Sequence, residues 1–171
     1  MGHFKRVIYM SINVIQFRDY IIKPALSAIG LQSDSAVNLL LGTAAQESHM
    51  GSYIVQMGLG YSGGIGIYQM EAGAYHNVWD NHIAPNVALI AKIRLFLGYN
   101  GKPNPQRMAS DLSLASIMCR FYYYAIKKPL PESDNLKDLA EYWKKYYNTA
   151  LGKGTIEQFM GNYEKYIGKN I

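Results

Sequence analysis

Between Ser35 and Met70 a single side chain is fully charged at neutral pH, Glu47 in the phrase Ala44-Ala45-Gln46-Glu47-Ser48. A chain that keeps charge out of so long a run and then places one carboxylate in it accepts a desolvation cost at that point. Burial disfavours the ionised carboxyl and raises its pKa. A carboxyl that stays protonated near neutrality is what a general acid has to be. The plainer alternative is a solvent-facing Glu on an amphipathic helix. The neighbourhood argues for a site, because small Ala44 and Ala45 leave room for a bulky ligand and a glycine-rich strip comes soon after.

The chain has 171 residues, 49% hydrophobic and 17% charged, which suits one compact domain over 1–171 and excludes wholesale disorder. A formal net charge of +5 fits a polyanionic partner such as an anionic cell-wall polymer. No block of Lys or Arg exceeds two residues, so a nucleic-acid partner is not expected. The lone Cys119 sits in an apolar helical stretch and excludes an internal disulfide, and no Cys/His spacing resembles a zinc site. No metal or cofactor is expected. Met1 to Met10 carries Lys5 and Arg6, but polar Asn13, Gln16, Arg18 and Asp19 interrupt the residues after Met10, so no signal peptide is read there. The uncharged stretch from Ser48 to Met70 has too many glycines and polar residues for a membrane span.

Hydrophobic spacing is mostly helical. It predicts a first helix over about Asn13 to Ile29, perturbed at Pro24 and closed by Gly30. A second, capped by Ser33 or Asp34, runs to about Met50, with Gly51 as the left-handed residue that ends it. Glu47 then falls in the last turn, where unpaired carbonyls raise a carboxyl pKa further. Gly58 to Gly66 reads as a loop or short hairpin in which the backbone can approach a ligand closely. Helical patterns return over about Glu71 to His82, Pro85 to Leu97, Ser110 to Lys127, Asp134 to Asn148 and Thr155 to Ile167. The class is mainly α.

Glu47-Ser48, then Gly66-Ile67-Tyr68-Gln69, then Tyr147-Asn148, then Asn162-Tyr163 succeed one another in an order that resembles the lytic transglycosylase branch of the lysozyme-like superfamily. The resemblance covers roughly residues 34 to 167, with an N-terminal helix before that core. It implies a lysozyme-like helical domain with the glycine-rich loop or hairpin beside the active site. The departures are Tyr68 in place of the usual Met, a longer gap between Glu47 and Gln69, and Thr149 and Ala150 between Asn148 and Gly152.

The resemblance implies cleavage of peptidoglycan at the bond between N-acetylmuramic acid and N-acetylglucosamine. Glu47 would protonate the glycosidic oxygen, then as a carboxylate take the proton from the sugar's C6 hydroxyl to leave a 1,6-anhydro end. Ser48 would bond the substrate's acetamido group or the Glu, and Gln69 and Tyr147 would position substrate and acid. Tyr68, Asn148 and Tyr163 would complete the substrate groove. A two-carboxylate glycosidase needs a second acid, and no Asp or Glu lies between Glu47 and Glu71. A muramidase would have to use Asp80 or Glu71. A non-catalytic lysozyme-like virion or glycan-binding protein is the alternative from another class. With no secretion signal read, a bacteriophage protein is expected, carried in the virion beside other virion proteins or released into the host envelope.

Overall fold

The computed structural model describes residues 11–168; the expectation about Met1 to Met10 lies outside them. Seven helices and one antiparallel hairpin make up the described residues, so the fold is mainly α. No helix among them is long and apolar enough to cross a membrane.

Helix α1 spans 14–28 and contains a π turn, Arg18–Ile22, immediately before the α-helical segment Lys23–Ala28. The wider turn sits where Pro24 lacks an N–H and its ring would press on the preceding turn, which is the perturbation its sequence foretells. Gly30, at φ 72°, closes it. Helix α2, Asp34–Ser48, starts at Ser33, whose Oγ accepts the Ala36 N–H at 3.1 Å. It is buried nearly all round, with Leu39, Leu40, Leu41, Ala44 and Ala45 fully covered, and is the central post of the molecule.

Strands β1 (Val55–Gln56) and β2 (Gly60–Ile65) pair antiparallel, Val55 against Ile65 and Gln56 against Gly60, with a register irregularity between them. Helix α3 spans 72–83 and ends in a π turn, Trp79–Ile83. Helix α4, Val87–Leu97, is capped by Asn86 rather than opened by Pro85. Helix α5, Leu112–Tyr124, is capped by Asp111 and buries Leu114, Ile117, Met118 and Phe121. Helix α6 spans 136–148, its last turn a π turn, Lys144–Asn148. Helix α7, Ile156–Tyr166, opens with a capping box between Thr155 and Gln158.

Helix α7 crosses α2 closely because Gly42 has no side chain: a Cβ there would run into the Phe159 ring. Phe159 in turn packs at a tilt against Trp143 of α6, ring centres 5.2 Å apart. These contacts join α2, α6 and α7 into one apolar cluster that continues through α5 and the hairpin. Extending Gly42 to Ala overpacks the seam. The variant Gly42→Ala should lose about 1–3 kcal/mol, read as a lower melting temperature by roughly 2–4 °C per kcal/mol.

Candidate active site

Helix α2 ends under unusual local constraint. His49 (φ 51°) and Met50 (φ 57°) both take the left-handed conformation before Gly51 does (φ 80°), so the helix terminates two residues earlier than the position of Gly51 suggests. Left-handed non-glycine residues cost on the order of 1 kcal/mol each. The surroundings hold them: the Met50 N–H reaches Ala44 O at 3.0 Å, and the Met50 carbonyl accepts the Ile12 N–H at 3.0 Å.

Ser48 is the clasp at this end. Its hydroxyl donates to Ile67 O (2.6 Å) or Ala44 O (3.1 Å) and accepts the Gly51 N–H (2.9 Å). Ser48 is fully buried, so it cannot meet an acetamido group; that expectation is corrected. One helical residue is a rotation of about 100°, and with Glu47 facing outward Ser48 must face the core.

Glu47 borders a cleft of about 370 Å³. The turn after the hairpin forms one wall through Gln69, Met70 and Glu71, and Ala74 of α3 extends it. Tyr122 of α5 and Tyr147, Asn148 and Thr149 at the end of α6 form the other. Four elements besides α2 therefore surround one carboxyl. Trp143 Nε1 donates a hydrogen bond to Glu47 Oε1 at 2.9 Å. Burial pushes the Glu47 pKa up to about 7, against the indole donor, which favours the ionised form.

Three glycines of the strip are packed against the chain itself, whereas Gly58 and Gly60 border open space. A Cβ on Gly63 would press into the Gln56 side chain, on Gly64 into the Gln69 backbone, and on Gly66 into the Met108 carbonyl. The close packing allows the tight turn in which Ile65 and Met70 exchange hydrogen bonds of 3.1 and 3.0 Å. Gln69 sits in this turn at φ 48°, its Nε2 on Gly66 O at 2.8 Å. Its neighbour Tyr68 points the other way, fully buried with its hydroxyl 3.1 Å from Ser116 Oγ. Tyr68 is therefore core, and its expected substrate role is corrected.

Tyr147 lines the cleft and donates its hydroxyl to Tyr68 O at 2.8 Å. Asn148 Oδ1 accepts from Lys144 Nζ at 2.7 Å, and the same ammonium reaches Gly152 O at 2.9 Å. Thr149 comes next at φ 66°, ψ 173°, a region that is nearly the preserve of glycine. Tyr163 does not reach the cleft. It lies one turn beyond Phe159 on α7, the i to i+4 spacing that puts both rings on one face. It is 8% exposed and borders a different surface hollow with Arg18 and Asp34. Its expected place in the groove is thus corrected.

Three neighbours of the Glu47 cleft lie outside the sequence motifs. Trp143 lies 96 residues from Glu47 and gives no local signal. Tyr122 is the one of Tyr122, Tyr123 and Tyr124 that borders the cleft; Tyr123 is buried against Thr43 and Tyr124 is turned outward. Glu71, one of the two candidates for a second acid, is in the cleft wall, whereas Asp80 is on the surface, paired with Lys102 at 2.6 Å. Among the described residues no group of three His, Cys, Asp or Glu side chains could hold a metal ion.

A carboxyl whose folded pKa is raised binds its proton more tightly in the native state than in the unfolded chain. Its contribution to stability is fully present below the unfolded value near 4.5 and is lost as pH rises towards about 7. Glu47→Gln removes this dependence. The variant should match the wild type near pH 4.5 and melt higher than it at pH 8, read by thermal denaturation at both pH values.

Compared with protein-family models, with curated proteins and with solved structures, the chain matches none.

Proposed function

We propose that this protein cleaves the glycan strands of peptidoglycan, with Glu47 as the general acid. One observation carries the reading: a carboxyl whose pKa is raised by burial to about 7, hydrogen-bonded by an indole, opening on a cleft of sugar-ring dimensions. The indole N–H occupies Oε1, which leaves Oε2 to carry the proton towards a glycosidic oxygen. Tyr122 and Tyr147 offer ring surface for a pyranose, and Gln69 and Asn148 offer amides for its hydroxyl and acetamido groups.

The route after protonation divides two readings. In the lytic transglycosylase reading, which the motif order favours, the Glu47 carboxylate takes the proton of the C6 hydroxyl, and that oxygen closes the anhydro ring. The presence of Glu71 in the cleft wall favours a hydrolytic alternative, in which Glu71 assists a water or stabilises the cation-like centre. Host-wall digestion by a phage, from the virion or after release, fits either route.

Glu47→Gln should abolish release of muropeptides from purified cell walls while the protein stays folded; lysis at the wild-type rate would overturn the proposal. Product masses divide the routes. Anhydro ends that persist in Glu71→Gln support the transglycosylase. Reducing ends that vanish in that variant support the hydrolase. Cleavage should also decline above about pH 7, as Glu47 loses its proton. Trp143→Phe removes the donor that favours the ionised form, so the alkaline limb of a pH–rate profile should move upward even as the variant loses stability.

A further inference from the structure

A second cavity, of about 490 Å³, lies where α5 ends. Arg120, Lys127 and Lys128 border it together with the Tyr124 ring and the Pro129–Leu130 turn, and no carboxylate among the described residues lines it. Its floor is electrostatically incomplete. Arg120 is 8% exposed, and its Nε donates to Leu31 O at 3.2 Å. Its Nη1 is buried with no acceptor among the described residues, and the guanidinium takes part in none of their ion pairs. The titratable groups around it are Tyr142, Cys119 and Tyr124, none of which is an acid at neutral pH. The Tyr124 ring stands 5.9 Å from the guanidinium carbon.

A guanidinium cannot shed its proton, and a buried charge without an acidic partner is strongly destabilising. A Leu or Met would fill the same space without that cost. The chain accepts further strain nearby, because Lys127 adopts φ 54° where the chain turns out of the helix. That turn brings two more cations, Lys127 and Lys128, to the same wall. Three positive side chains with no acidic partner among the described residues, beside tyrosine, proline and leucine surface, suit an oxyanion attached to a small apolar body better than a bare inorganic ion.

We propose that the cavity at the end of α5 is a binding site for a small organic carboxylate of the kind found at the free C-terminus of a short peptide. The carboxylate meets the edge of Arg120 that borders the cavity and the two lysines at the rim, and the apolar part lies against Tyr124, Pro129 and Leu130. The site is separate from the Glu47 cleft, so it stands or falls independently of the cleavage reading.

The test monitors the Arg120 Nε–H resonance in ¹⁵N-labelled full-length protein, identified by its loss in Arg120→Lys. N-acetyl-dialanine should shift that resonance saturably, with a dissociation constant of order 10 mM or tighter. Its uncharged C-terminal amide should not, and inorganic phosphate should bind more weakly. Lys127→Gln/Lys128→Gln, changed at two positions that leave the core intact, should weaken the peptide about threefold or more. Absence of a saturable shift, equal binding of the amide, phosphate binding as tightly as the peptide, or an unchanged affinity in the double variant would each overturn the assignment.

Discussion

The hydrogen bond from the Trp143 indole to Glu47 ties the first half of the chain to the second, and the rest of the architecture is arranged so that it can form. It requires α6 to lie against the end of α2, which requires Phe159 of α7 to seat over Gly42 and pack against Trp143. It also requires Gly154 to stay bare, since a Cβ there would come within 2.6 Å of the indole ring. The bond has two opposing effects on the acid. It stabilises the carboxylate, yet the ring that supplies it displaces water from one side of the carboxyl and so contributes to the desolvation that raises the pKa. Burial is the larger of the two. The outcome is a carboxyl poised near neutrality and held in one orientation.

Helix starts are legible in the sequence because their chemistry is local. Ser33 and Thr155 stand at the expected starts, whereas Asn86, Asp111 and Asn135 cap one residue beyond the expected Pro85, Ser110 and Asp134; each places a side-chain oxygen on a backbone N–H of the first turn. Glu47 is legible as the lone charge in an uncharged run. The π turns are not, because an extra residue in a turn is absorbed wherever tertiary packing demands a change of phase, and no residue type marks it. Trp143 is illegible for the same reason at longer range.

Ser48, Tyr68 and Tyr163 depart from their expected roles for a different reason. Each stands in a short motif beside a residue that does face the cleft or belongs to the pattern, and adjacency in sequence is opposition in space. Ser48 turns from Glu47 by one helical step. Tyr68 turns from Gln69 across a tight turn, and its ring fills the core against Phe17 at 6.4 Å. Helical phase alone separates Glu47 from Ser48, and it pairs Tyr163 with Phe159.

Backbone strain gathers where the cleft does. Of the five non-glycine residues at positive φ among the described residues, Gln69 and Thr149 line the cleft and His49 and Met50 directly succeed the Glu47–Ser48 pair. Such positions persist only when the surroundings over-determine them, and here the surroundings can be named. The Ser48 hydroxyl and the Ala44 carbonyl fix His49 and Met50; the Ile65–Met70 pair fixes Gln69; and the Lys144 ammonium, bridging Asn148 and Gly152, fixes the turn that contains Thr149. Each restraint is a directional polar contact, and those of Ser48, Ala44, Ile65 and Met70 lie within the buried core. The cleft walls are therefore held by a few directional bonds, which set the positions of Gln69, Asn148 and Thr149 relative to Glu47 more tightly than apolar packing alone would. A ligand entering the cleft meets donors and acceptors already in place, and the conformational cost of that arrangement has been met in folding rather than in binding.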